Sequence, residues 1–250
     1  MSRLFSANMM RLRKSKLFIF GEIFMVGYAL FVYDSAKSNM ESGGPIDNWS
    51  LYFFNALLLS GFVTALFVSF FLSAEYSDGT IRNKLMVGHK RKEIYLVNFV
   101  TCLLAEFIMY ITYFLSSLLF GFLIFGNESL QIRNIGVGLL CNIFILLVYT
   151  AIFVLVEMLD KNKVRTMAVN LMGALLILVI GIVSYNELWG HPDTVGFMWH
   201  IIEVLFPSVL VMYVASADSV SYFPVILGLL IETVCFVAIG VWGFGRKDIQ

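Results

Sequence analysis

Four carboxylates stand inside long apolar runs: Glu22, Glu106, Glu157 and Glu232. An ionised acid at the centre of a bilayer costs about 2.5–3.5 kcal/mol on insertion scales, so such a group either lines a polar pathway or joins helices as a hydrogen-bonded carboxyl. Glu22 and Glu157 fall within a few residues of a run's basic end, where they can reach headgroups or pair with nearby Arg and Lys. Glu106 lies about 18 Å of helical rise beyond Ile94, and Glu106 and Glu232 are the deeper two. For this pair both readings, pathway and helix interface, remain open.

Other reactive side chains point to less. Cys102, Cys141 and Cys235 all fall in apolar runs without metal-ligand spacing, which reads as three small buried residues. His89, His191 and His200 lie in connections, and the latter two suggest no metal site. No G-x-x-x-x-G-K-[ST], H-E-x-x-H or G-x-S-x-G motif occurs. A chain of this kind moves, gates or anchors something, and active transport would draw its energy from a partner or an ion gradient. A proton-coupled secondary transporter using Glu106 and Glu232 is one such reading. Against it stands the lack of an internal repeat and of paired interrupted helices. An intramembrane protease would need acid pairs and His at mid-membrane depth, whereas the three His lie in loops.

The elements that position these residues follow from composition. Of 250 residues, 60% are hydrophobic and 14% charged, and mean hydropathy is +0.86. Soluble domains are about a quarter charged. Six apolar runs, each near the ~20 residues that cross a bilayer, span Lys16–Tyr33, Leu51–Ala74, Ile94–Phe125, Ile135–Met158, Thr166–Tyr185 and Tyr222–Phe244. No period-two alternation persists, so the expected fold is an all-α integral membrane protein of six transmembrane helices in a single domain over residues 1–250. The third run is long for one crossing, which places its first turns at the interface. Fifteen of the 17 Lys and Arg fall in the N-terminal segment, the second and fourth connections and the tail; Lys37 and Arg133 remain for the other side. By the positive-inside rule both termini are cytoplasmic. The apolar run after the basic N-terminus has no small-residue cleavage site, so no signal peptide is expected.

Three segments are not simple spans. Residues 1–15 mix Leu4, Phe5, Met9, Met10 and Leu12 with basic residues at helical spacing, which suits a short interfacial helix. The connection 75–93 is densely charged yet holds an apolar stripe at Ile81, Leu85, Met86 and Val87. Asp78 or Thr80 could cap a short helix there and Gly88 could end it. Physics alone leaves a docking element and a solvated linker equally open. Residues 186–221 are too apolar for a loop in water, and Pro207 splits them near Val195–Phe206 and Ser208–Ser216. Segments this short are interfacial or re-entrant, and Trp189, Trp199, Tyr213 and Tyr222 suit a membrane surface.

Together these features resemble the membrane subunits of ABC-2-type ABC transporters, six-helix bacterial permeases paired with a separate ATPase. The resemblance rests on the topology, on Glu75, Gly79-Thr80, Ile81–Val87, Gly88 and Arg91-Lys92-Glu93 in the second connection, and on the ending Phe244-Gly245-Arg246-Lys247-Asp248-Ile249. The chain departs from it at Gly88-His89, where many relatives have a proline-containing turn. The resemblance implies an elbow helix over 1–15, a coupling helix in 75–93, and a re-entrant pair of short helices in 186–221. It implies ATPase-coupling roles for Glu75, Gly79, Thr80, Ile81, Arg82, Leu85 and Met86. Two ATPase subunits and a second permease protomer, a homodimer mate or a sister permease, would complete the working unit in the bacterial cell membrane. ATP and Mg would sit on the partner, and this chain would bind no cofactor, no metal and no nucleic acid. With 24 Phe and 11 Tyr, an apolar lining among membrane lipid suits an amphipathic cargo, and permeases of this kind often export antimicrobial or toxin-like peptides or protect the producer from them.

Overall fold

The computed structural model describes residues 2–42, 49–126, 132–160, 162–190, 196–216 and 222–247. Among these the chain is helical and has no strand. The helices are α1 (Ser2–Lys14), α2 (Lys16–Glu41), α3 (Asn55–Leu58), α4 (Ser60–Ser77), α5 (Thr80–Met86) and α6 (Arg91–Phe125). They continue as α7 (Ile132–Leu159), α8 (Lys163–Gly190), α9 (Phe197–Leu205), α10 (Pro207–Ser216) and α11 (Tyr222–Arg246). Six of them, α2, α4, α6, α7, α8 and α11, are long and apolar enough to cross a membrane. The pair α9–α10 turns through 86° at its break, where Pro207 occupies the first position of α10 and cannot extend the helix before it. This is the split expected from the sequence.

The second span departs from expectation. A single run from Leu51 was anticipated, but Trp49–Phe54 form a 3₁₀ helix and α3 is one short turn before α4 begins at Ser60. Tyr113 and Tyr110 of α6 donate to the carbonyls of Tyr52 (2.7 Å) and Ala56 (3.0 Å). The irregular stretch is thus held by a neighbouring span, which is how non-helical backbone survives at depth. The first span, α2, also runs to Glu41, eight residues past its apolar run.

The inner pair is α4 and α7. About half of each apolar window is buried, 56% and 50%, against 22% for α2, α8 and α11. Small residues on α4, among them Ser60, Gly61, Thr64, Ala65 and Ser69, are buried and let neighbours approach. Around this pair α2 packs on α6, α8 on α4, and α11 on α7 and α6. The short helices α1 and α5 share one end of the bundle with the N-terminus of α6 and the C-terminus of α11, and α9 and α10 lie in the connection that leads into α11. Glu203 of α9 accepts from the Tyr213 hydroxyl of α10 at 3.1 Å and faces the His200 ring at 3.3 Å, fastening the bent pair to itself. His191 and the side chains of Trp189 and Tyr222 lie outside the described residues.

Candidate functional site: a buried carboxylate at the basic end

The amphipathic N-terminal segment folds as α1 and buries Leu4, Asn8 and Leu12, residues four apart on one face. Asn8 meets α6, donating from Nδ2 to Oδ1 of Asn98 at 2.7 Å. Asn98 in turn donates to Glu75 Oε2 at 2.7 Å. Lys84 of α5 closes the circuit, donating from Nζ to Asn8 Oδ1 at 2.9 Å and to Glu75 Oε1 at 2.5 Å. Arg11 forms an ion pair with the same carboxylate and donates to the Phe71 carbonyl at 2.8 Å. One acid at the end of α4 therefore joins α1, α5 and α6.

Burial sets the energetics of this cluster. Glu75 is fully buried and Lys84 is 8% exposed. Burial pushes the Lys84 ammonium below the usual lysine range, and the Glu75 carboxylate beside it opposes the shift. A carboxylate that receives two cations and an amide has its lone pairs occupied, the condition under which a buried ion pair is tolerated.

The helix α5 forms as the stripe predicts, though its ends differ in part. The expected cap at Asp78 or Thr80 is not used. Gly79 is the N-cap, in the left-handed region at φ +65°, with no side-chain cap bond. At the other end Gly88 adopts φ +95°, its N–H bonds Leu85 O, and the His89 N–H bonds Lys84 O. That is a Schellman ending, which uses glycine at this position. The Gly88-His89 turn is thus closed by backbone hydrogen bonds.

The seven residues that the resemblance implies for ATPase coupling separate into three sets. Glu75 is buried in the cluster above and Ile81 is 1% exposed in the core. Gly79, Thr80 and Leu85 are half-buried. Arg82 is exposed, and Met86 and Val87 are 69% and 79% exposed. The apolar stripe of the sequence is therefore split: Ile81 faces the bundle while Met86 and Val87 face away from it. A partner can touch Arg82, Met86 and Val87, and cannot touch Glu75 or Ile81 without unfolding this end.

The intramembrane acids are not brought together. Glu106 is fully buried between α4, α6 and α7; Thr64 Oγ1 lies 2.9 Å and Thr150 Oγ1 3.0 Å from its Oε2. Glu157 was expected near headgroups or basic residues, but it is 2% exposed, accepts from Ser73 Oγ at 2.8 Å and forms no ion pair among the described residues. Glu22 is half-buried and likewise makes no ion pair among the described residues. Glu232 is half-buried on α11, between exposed Ile231 and Val234. Cys102 and Cys141 are buried as expected, but Cys235 is exposed on the outer face of α11.

Sequence reading missed Asn8, Asn98 and Lys84. Lys84 and Arg11 looked like residues that only set orientation. The signal that could have found the cluster is Asn98, an amide one turn inside an apolar run, where a polar group needs a partner. The C-terminal motif also has a local role. Lys247 Nζ donates to the carbonyls of Met158 (2.9 Å) and Asp160 (3.1 Å), capping the end of α7, and to the Tyr76 hydroxyl at 3.1 Å. Lys247→Ala should cost about 1–2 kcal/mol by leaving these acceptors without their cation. Thermal unfolding of the purified variant checks this, and an unchanged midpoint would refute the capping role. Asp248 and Ile249 lie outside the described residues.

Comparison with known proteins agrees with this architecture. The family described as "ABC-2 family transporter protein" matches residues 4–177, a stretch that includes most of α1, all of α5 and the Glu75 cluster. The chain is also similar to the uncharacterized membrane protein YdbK of Bacillus subtilis (strain 168). The two are 23% identical over 261 residues, covering 96% of this chain and all of the relative.

Proposed function

Because this chain belongs to the ABC-2 family of transporter proteins, we propose that it is the membrane subunit of an ATP-driven exporter whose separate ATPase seats on the outward face of α5. The observation that supports this most is the division of α5. Ile81 and Lys84 anchor the helix to the bundle, while Met86 and Val87 stay exposed beside Arg82. Exposed apolar residues on a short, firmly held helix offer a contact that a soluble partner can push.

Force applied to α5 passes through Lys84 to Glu75 and so to α4, one of the two central spans, and through Asn8 and Asn98 to α1 and α6. ATP and Mg belong to the partner, two copies of which would act on two permease protomers. The basic end faces the cytoplasm by the positive-inside rule, so cargo entering from the cytoplasm or inner leaflet leaves outward. The cargo is an amphipathic or hydrophobic molecule of peptide character, matched to spans rich in exposed Phe, Leu and Ile.

The test is co-purification. A tagged chain co-expressed with a soluble ABC ATPase from the same genome should retain its cognate ATPase, and the double substitution Met86→Asp, Val87→Asp should abolish retention with thermal stability unchanged, because both side chains are exposed. Equal capture by the double variant would overturn the docking assignment.

A further inference from the structure

Two cavities meet between the first two spans. One, of about 400 Å³, opens at the basic end and is lined by Arg11, Lys14, Ser15, Leu17, Phe70 and Asp78, among others. The second, of about 300 Å³, is lined only by apolar residues of α2, α4 and α6, including Phe20, Phe24, Phe62 and Leu66. Leu17 and Phe70 line both, so the two form one groove with a charged mouth and an apolar length.

Its dimensions and charge suit one class of molecule. From Phe70 to Leu59, the N-cap residue of α4, the apolar part rises about 16 Å, close to half of a ~30 Å hydrocarbon core. That is the depth of one leaflet's acyl chains. The mouth holds two cations and one acid. Arg11 is directed at Glu75 and lies over the Phe71 ring at 3.9 Å, whereas Lys14 is exposed and forms no ion pair among the described residues. Ser15, the N-cap of α2, lines the same mouth, so the positive end of that 26-residue helix adds to the field. Asp78 is the one acid there and can accept from a hydroxylated headgroup.

We infer that this groove is a binding site for an anionic glycerophospholipid, its phosphate held at Lys14 beside the N-terminus of α2 and one acyl chain laid along α2 and α4. Basic pockets between spans bind anionic headgroups in this way. The lipid would brace α1 against α2 and α4, next to the Glu75 cluster, and the site does not depend on the ATPase assignment above.

The experiment is native mass spectrometry of the full chain, purified in mild detergent and offered equal amounts of phosphatidylglycerol, phosphatidylethanolamine and phosphatidylcholine. Phosphatidylglycerol should be retained most. Lys14→Glu should lower its retention at least about fivefold, the effect of one basic residue at an anionic surface, without moving the melting temperature. Leu66→Trp, which fills the groove from an exposed position, should lower retention of every lipid tested. Retention of phosphatidylglycerol no greater than that of phosphatidylcholine, or unaffected by Lys14→Glu, overturns the site. Preference for phosphatidylethanolamine overturns the anionic assignment.

Discussion

Glu75→Ala should be the most damaging single substitution in this chain, lowering stability by about 3–5 kcal/mol. The magnitude follows from what is left behind. Removing the carboxylate strands the Lys84 ammonium at 8% exposure beside the Arg11 guanidinium, two like charges without their shared acceptor. The Asn98 amide loses its acceptor as well. Thermal unfolding in detergent should therefore show a large fall in the midpoint. Adding Lys84→Met and Arg11→Leu to Glu75→Leu should recover much of it, since apolar side chains can replace a buried ion cluster at little net cost. A Glu75→Ala midpoint within a degree of the parent would show that the cluster contributes nothing to the fold.

The second large effect is expected at Glu106, where two substitutions should diverge. Glu106→Ala deletes a fully buried side chain between three spans, leaving a cavity and two threonines without their common acceptor. The cost should be about 2–4 kcal/mol. Glu106→Gln keeps the volume and one carbonyl acceptor, and should stay within about 1 kcal/mol. The same pair separates an ATP-driven permease from a proton-coupled carrier. A carrier that loads protons on Glu106 loses transport when the carboxyl becomes an amide, whereas a helix-joining Glu106 tolerates it. Transport by Glu106→Gln in reconstituted vesicles, energised first by ATP and then by a proton gradient, reads out the difference. Loss of ATP-driven transport in a stable Glu106→Gln protein would remove the packing role from consideration.

Much of the fold was legible because lipid imposes coarse rules. Six runs of the right length became six helices, and Pro207 marked the break in the bent pair for a steric reason that holds anywhere. Gly88 ended α5 because a left-handed residue was needed there. What escaped was every feature set by partners distant in sequence. Glu75 and Ile81 read as surface residues of a charged loop, yet each is buried because α1 and α6 cover that side of α5 and the end of α4. No local pattern reports that Asn8 will meet Asn98. The second span's irregular start was hidden for the same reason, since hydroxyls of α6 satisfy backbone that hydropathy reads as ordinary helix. Glu157 illustrates the opposite error. Closeness to a run's end suggested headgroups, but the side chain turns inward, where the serine one turn before the end of α4 donates to one of its two oxygens.

The cluster at the basic end also bears on how the molecule is made. Asn8 and Asn98 are 90 residues apart, so α1 leaves the ribosome long before its anchor exists. Until α6 is inserted, Arg11, Lys84 and Glu75 have no common scaffold, and the amphipathic first helix has only the membrane surface to rest on. Lys247 completes α7 some 89 residues after that helix is synthesised. Helix α1 and the residue that follows α11 are thus both fastened late, at the same end, and until then the carbonyls of α7 and the cations of the cluster there lack the partners that hold them in the folded protein.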